Sequence, residues 1–215
     1  MTAAGTSGAA APQVRVKICG VTSAGDARAA VEAGADMIGL NFYPGSKRYV
    51  TLERARDIVA GLPANVWRVG IFVNAGRHEI ARLRDALALD AVQLHGDETP
   101  EMAQGLAAKV IRTVRLRTPG DAARALAAWD VDYVLCEGDA GEAYGGAGAG
   151  FDWSWAQEVP RGRLFVAGGL TPDNVAQAVR ALRPFAVDVA SGVESAPGVK
   201  DPARMAALVA HAKAA

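Results

Sequence analysis

Short β-rich runs recur about every 20 to 30 residues along this chain, and each is followed by a segment with the signals of a helix. No other feature limits the fold as much. A strand followed by a helical crossover pairs in parallel with the next strand, so sustained alternation builds a parallel sheet. The runs are Val14–Cys19, Asp36–Phe42, Trp67–Val73, Ala91–His95, Lys109–Val114, Tyr133–Glu137, Leu164–Ala167 and Ala186–Ala190. Helices are read at Asp26–Ala33, Leu52–Ala60, Gly76–Leu87, from Thr99-Pro100 onward, Asp121–Ala128, Asp152–Gln157, Pro172–Leu182 and Pro202–Lys213. Eight such units in 215 residues predict one α/β domain closed as a single (β/α)8 TIM barrel, rather than an open doubly wound sheet. Gly20, after the first strand, lacks the Gly-x-Gly-x-x-Gly pattern of a dinucleotide site.

Strands buried on both faces should be continuously apolar, yet several of these alternate. Val14, Val16 and Ile18 share one face of the first strand while Arg15, Lys17 and Cys19 share the other. Val92 and Leu94 oppose Gln93 and His95, and Val187 and Val189 oppose Asp188. The apolar sets should face the helices and the polar sets the barrel interior, where an isolated charge needs a partner. Strand C-termini are where this fold places its chemistry.

Two late stretches end in small residues: Val166–Val175, with Gly168 and Gly169, and Val187–Glu194, with Ser191 and Gly192. Small residues let backbone N–H groups approach an oxyanion, and Thr171-Pro172 suits the start of a helix whose terminus would add a favourable field. Turns after strands 7 and 8 are the usual phosphate cradle of such barrels, so the expected partner is a phosphorylated small molecule.

Lys and Arg equal Asp and Glu, 23 each, and no basic face is evident, which argues against nucleic acid or a membrane surface. Two cysteines make neither a disulfide framework nor a zinc cluster and fit a reducing, cytoplasmic setting. Residues 1–13 are rich in Ala, Gly, Ser and Thr, without a positive start or long apolar run, and predict a disordered tail ahead of a catalytic domain at 14–215.

Candidate chemistry follows from position. Cys19 ends the first strand and reads either as a buried small hydrophobe or as a base whose thiolate Lys17 favours. Cys136 reads as core. Glu137 ends the sixth strand and opens a glycine-rich loop; it is a solvated carboxylate or a general acid. Asp139 and Glu142 read as solvated. Arg48, in the Pro44-Gly-Ser-Lys-Arg48 loop, suits a bidentate grip on a carboxylate, whereas Lys47 reads as surface. His95 lines the site or hydrogen-bonds its neighbours. Asp188 orients substrate hydroxyls or pairs with Lys17 or Arg15. Asn41 and Asn74 end strands and are candidate polar contacts.

Taken in order, Val16-Lys-Ile-Cys-Gly20, Gly39-Leu-Asn-Phe42 with Ser46-Lys-Arg48, Val69–Asn74, Val92–Gly96, Gly145-Gly with Phe151-Asp-Trp153, Val166–Leu170 and Asp188–Glu194 resemble the phosphoribosylanthranilate isomerases of tryptophan synthesis. The resemblance spans almost everything beyond residue 13. It implies an Amadori rearrangement of N-(5-phosphoribosyl)anthranilate, with Cys19 as base, Glu137 as acid, Arg48 on the anthranilate carboxylate, and Gly168, Gly169, Ser191 and Gly192 on the phosphate. It implies no metal or cofactor, because the iminium intermediate is itself the electron sink, and a monomer or weak homodimer. Two departures stand out. The family's Leu-Leu-Asp after strand 6 reads Leu135-Cys-Glu137 here, which leaves Asp139 as an alternative acid, and Gly-Gly-Thr-Gly reads Gly145-Gly-Ala-Gly148. The competing readings are the histidine-pathway isomerase that performs the same rearrangement, and a barrel that only binds a phosphorylated ligand.

Overall fold

The computed structural model describes residues 13–139 and 150–215, so the expected disordered tail (apart from Gln13), Glu142 and Gly145–Gly148 lie outside the described residues. Gln13 itself is tied down, donating from Nε2 to the Lys213 carbonyl at 2.9 Å.

Eight parallel strands close on themselves in sequence order, with the first pairing back onto the eighth. They are β1 (Arg15–Ile18), β2 (Met37–Asn41), β3 (Trp67–Phe72), β4 (Ala91–Leu94), β5 (Lys109–Leu116), β6 (Tyr133–Gly138), β7 (Leu164–Val166) and β8 (Ala186–Val189). Register is pinned at the strand starts by a repeated device. Asp36, Asp90 and Asp132, each just ahead of an even-numbered strand, accept from the backbone N–H of Val16, Arg68 and Val110 on the preceding strand, all at 2.8 Å.

The α-helices are α1 (Ala24–Glu32), α2 (Leu52–Ala60), α3 (Arg77–Leu87), α4 (Asp121–Ala128), α5 (Val175–Leu182) and α6 (Pro202–Lys213). Ser23, Thr51 and Asp201 cap α1, α2 and α6 by accepting from backbone N–H groups of the first turn. Eight helices are expected from sequence, and the described residues hold six. After β4 the chain makes only a 3-10 turn, Pro100–Ala103, because Gln104 returns to extended backbone and Gly105 follows at φ +66°. After β6 the described residues hold two short 3-10 turns, Trp153–Ala156 and Arg161–Arg163, in place of the expected helix. Helix α5 starts at Val175 rather than Pro172: Asn174 Oδ1 accepts from Thr171 N–H, which holds residues 171–174 as a turn. A short hairpin, β9 (Glu194–Ala196) with β10 (Val199–Lys200), follows β8 and is not anticipated by the sequence reading.

The alternation sorts side chains as expected. Val16, Ile18, Val92, Leu94, Val187 and Val189 join the apolar layer between strands and helices. Inside the barrel, Met37, Val69, Ala91, Ile111, Leu135 and Phe165 form a separate apolar plug. Aromatic rings close its lower end: Tyr133 stacks on Phe185 at 4.7 Å, Trp67 lies 6.0 Å from Tyr133, and the Arg15 guanidinium sits 5.1 Å from both Trp67 and Phe185. Arg15, Trp67 and Tyr133 begin their strands and Phe185 immediately precedes β8, so this plug seals the N-terminal end. Polar chemistry is left to the other end.

Candidate active site

Above the plug the interior turns polar. Lys17, with no exposed surface, places Nζ 2.9 Å from Asp188 Oδ1 and 2.9 Å from Gln93 Oε1. Gln93 Nε2 continues the chain to His95 Nδ1 at 2.9 Å and to Thr113 Oγ1 at 3.1 Å. His95 Nε2 then lies 3.1 Å from Glu137 Oε1, close but outside hydrogen-bond alignment. A buried polar string thus runs from Asp188 on β8 through β1 and β4 to Glu137 on β6. Asp188 pairs with Lys17; Arg15, its other candidate partner, is spent on the aromatic plug.

Cys19 extends β1 by one residue, its N–H donating to the Val189 carbonyl at 2.9 Å. It keeps partial solvent access. Gly39 on β2 makes room for it, since a Cβ there would stand 3.2 Å from Cys19 Sγ and 3.0 Å from its Cα. Burial, aided by the Asp188 carboxylate, raises the thiol above its ordinary value, and the nearby Lys17 and Lys200 ammoniums only partly offset this. Lys17 does favour the thiolate, as expected from sequence, but its own partner Asp188 and the loss of water outweigh it.

Arg48 packs over Gly20, where a Cβ would fall 2.3 Å from Arg48 Cδ. The guanidinium is not a free fork. Its Nε and Nη2 donate to Glu194 Oε1 and Oε2, both at 2.7 Å, leaving Nη1 outside the pair. Glu194 also accepts from Lys200 Nζ at 2.8 Å, and Lys200 in turn donates to the Ala190 carbonyl at 3.0 Å. Burial alone would raise the Glu194 carboxyl, but hydrogen bonds from Arg48 and Lys200 hold it below the usual carboxylate range. Burial depresses Lys200.

The two glycine turns meet. Gly168 and Gly169 both take left-handed backbone, φ +84° and +66°, which leaves their N–H groups free of side-chain bulk. Gly192 lies so close to the first turn that a Cβ would stand 1.9 Å from the Leu170 carbonyl oxygen. Asn174 locks the first turn, its Nδ2 donating to the Gly169 carbonyl at 2.9 Å. Ser191 is exposed beside them. The second turn enters a three-residue 3-10 segment, Ser191–Val193, and not an α-helix. The two turns, the Arg48 and Cys19 loops and Glu137 all stand at the C-terminal end of the barrel.

The model of the N-(5'-phosphoribosyl)anthranilate (PRA) isomerase family matches residues 16–211. The chain belongs to the phosphoribosylanthranilate isomerase family. Among curated members, the N-(5'-phosphoribosyl)anthranilate isomerase of Myxococcus xanthus is 49% identical over 205 residues, covering 93% of this chain and 96% of that protein. The Pseudomonas aeruginosa (strain UCBPP-PA14) enzyme is 47% identical over 200 residues, covering 92% and 94%. The phosphoribosylanthranilate isomerase of Thermotoga maritima superposes with a TM-score of 0.86 at 42% identity, covering 94% of this chain and all of that one. A solved structure of a phosphoribosylanthranilate isomerase in complex with reduced 1-(o-carboxyphenylamino)-1-deoxyribulose 5-phosphate has a TM-score of 0.83 at 42% identity, covering 94% of this chain and all of that one.

Within this isomerase framework the remaining candidates separate. Asn41 Oδ1 accepts from the Tyr43 N–H and Asn74 Oδ1 from the Asp97 N–H, so both shape loops. Asp139 ion-pairs with Arg117 at 2.9 Å on a more open part of the rim. Cys136 is fully buried core, its thiol pushed up to about 12 by burial, and Lys47 is exposed, both as read from sequence. Sequence reasoning left out Gln93 as a connector and gave no role to Glu194 or Lys200. The one available signal was alternation, which puts Gln93 on the inward face with His95.

Proposed function

We propose that this chain isomerises N-(5-phosphoribosyl)anthranilate to 1-(2-carboxyphenylamino)-1-deoxyribulose 5-phosphate in tryptophan biosynthesis, with Cys19 as base and Glu137 as acid. Family membership supports the reaction. The observation that carries the residue assignment is the placement of Cys19 and Glu137 at strand ends of one barrel mouth, between the Arg48 loop and the paired glycine turns.

In this reading the Glu137 carboxyl protonates the furanose ring oxygen. The C1–O bond breaks, and the anthranilate nitrogen lone pair forms an iminium with C1. The Cys19 thiolate then takes the proton from C2. The C2–H electron pair becomes a C1–C2 double bond and the iminium electrons return to nitrogen. The resulting enol-amine tautomerises to the C2 ketone, leaving C1 as a CH2. A thiol held above its ordinary value is less populated as thiolate at neutral pH but is a stronger base once formed. Arg48 Nη1, steadied by the Glu194 pair, takes the anthranilate carboxylate. Gly168, Gly169, Ser191 and Gly192 take the phosphate. Asp188, through the oxygen not used by Lys17, and His95 meet substrate hydroxyls. The tie of Asp139 to Arg117 supports Glu137 over it as the acid.

Residues 14–215 form the catalytic unit in this reading, acting in the cytoplasm as a monomer or weak homodimer; sedimentation equilibrium over a wide concentration range tests the last point. No helix among the described residues is long and apolar enough to cross a membrane.

The direct test generates phosphoribosylanthranilate in place from anthranilate and phosphoribosyl pyrophosphate with the transferase that joins them, and follows the loss of its fluorescence. Glu137→Gln and Cys19→Ser should each lower kcat by roughly 10²- to 10⁴-fold, the range for a lost acid or base. Asp139→Asn should not. No turnover by the wild-type protein would support the binding-only barrel, and turnover only of the histidine-pathway aminoaldose would support the sister isomerase.

A further inference from the structure

We infer that Gln93 is a positioning residue: it fixes His95 as the Nε2–H tautomer and so sets an N–H, rather than a lone pair, 3.1 Å from the carboxyl of Glu137. The consequence for turnover rests on Glu137 being the acid; the tautomer itself does not.

The argument starts from Lys17. An ammonium has donors and no acceptor, so the Gln93 atom 2.9 Å from Lys17 Nζ is the amide oxygen. That settles which way the amide faces. Its NH2 group therefore points at His95 Nδ1, 2.9 Å away, and at Thr113 Oγ1, 3.1 Å away. Two N–H groups cannot face each other at that distance, so Nδ1 accepts. Thr113 Oγ1, 3.1 Å from Nδ1, has a hydroxyl free to rotate and imposes no contrary demand. A neutral imidazole that accepts at Nδ1 carries its proton on Nε2, the atom 3.1 Å from Glu137 Oε1.

This orientation has a chemical use. When Glu137 gives up its proton it becomes a carboxylate in a nearly dry site, being only 8% exposed. The positive end of an N–H dipole 3.1 Å from that oxygen favours the carboxylate as its charge develops over the neutral acid, even outside hydrogen-bond alignment. The opposite tautomer would offer Nε2 as a lone pair, which would hold the Glu137 proton back from the substrate. Lys17, kept charged by Asp188, is thus the far anchor of a string whose working end is the acid.

The test is 15N NMR of the histidine ring nitrogens in the free protein. The chain has three histidines, and loss of a signal in His95→Asn assigns His95. The expected wild-type result is an unprotonated Nδ1 and a protonated Nε2. Gln93→Glu keeps the shape and the acceptor for Lys17 but turns an oxygen toward Nδ1, which should place a proton there. The same variant should lose about 10- to 100-fold in kcat, the usual cost of disturbing a supporting hydrogen bond, with KM changed much less. Thr113→Val should leave the tautomer as in wild type, because Gln93 remains the donor. A wild-type proton on Nδ1 overturns the inference without recourse to any variant. A tautomer unmoved by Gln93→Glu, or a moved tautomer with unchanged kcat, overturns it as well. Retained turnover in Glu137→Gln would instead count against the acid assignment, while the tautomer result would still stand.

Discussion

Lys17 Nζ lies 2.9 Å from Asp188 Oδ1, with the lysine side chain wholly out of water and the aspartate 8% exposed. Burial works against the ammonium, but Asp188, with help from Cys19, outweighs it and holds Lys17 above its ordinary value. Lys17 is therefore held as a cation, and removing Asp188 strands a buried charge. Asp188→Leu should cost about 3–5 kcal/mol in urea unfolding. Lys17→Met together with Asp188→Leu should recover much of that loss, because no charge is then left behind. A double variant as unstable as Asp188→Leu would show that shape at this layer matters more than charge.

Cys136 gives a pH dependence with a definite sign. Burial pushes its thiol from 9.0 up to about 12. Above pH 9 the unfolded chain releases this proton while the folded chain keeps it. The stabilisation is complete below 9 and is lost as the pH rises to about 12, at up to about 1.4 kcal/mol per pH unit from this group. Other groups titrate in the same window, so the quantity to measure is the difference between wild type and Cys136→Val, whose side chain suits the apolar layer. Urea midpoints taken on both sides of pH 9 should diverge less in the variant. Equal slopes would show that Cys136 ionises at its ordinary value.

Glu194 is the anion between two cations, Arg48 and Lys200. Glu194→Gln leaves both without a counter-charge and removes half of the fork that steadies Arg48. If Arg48 Nη1 holds the anthranilate carboxylate, KM should rise by about tenfold or more, since losing one partner of a buried charge pair costs about 2–5 kcal/mol. The effect on kcat should be smaller. Adding Lys200→Met should restore stability in part, by removing the surplus cation, while KM stays high. Steady-state kinetics beside urea unfolding separates the two effects.

What the sequence revealed depended on how local the signal was. All eight strands were legible because each is a short β-rich run bounded by its own helix signals, and α2, α4 and α6 were read to the residue. The segment after β4 misled, since Thr99-Pro100 looks like a helix start and only Gly105, at φ +66°, ends it after one turn. Cys19, His95 and Glu137 could be picked out from strand ends alone. The Lys17–Asp188 pair was foreseen as one of two options because both residues sit on inward faces. Gln93 was not, since two of its partners, Lys17 and Thr113, are 76 and 20 residues away in sequence and its role lies in which atom faces which. Glu194 and Lys200 meet only because a short hairpin with no strand signal brings them together.

The contact between Gly192 and Leu170 gives the sharpest steric prediction. A Cβ at 192 would lie 1.9 Å from the Leu170 carbonyl oxygen, and that oxygen is backbone, so no side-chain rotation relieves the overlap. Gly192→Ala must push the turn after β8 away from the turn after β7. If these turns share the phosphate, the variant should bind inorganic phosphate, as a competitive inhibitor, about tenfold or more weakly, each such factor corresponding to about 1.4 kcal/mol. Gly168→Ala acts through the backbone: it places a Cβ on left-handed backbone, at about 1–2 kcal/mol of strain. Gly162→Ala, where a Cβ meets nothing within 4 Å, is the control and should leave phosphate inhibition unchanged. Normal phosphate inhibition in Gly192→Ala, with the urea midpoint also unmoved, would place the phosphate elsewhere on the barrel rim.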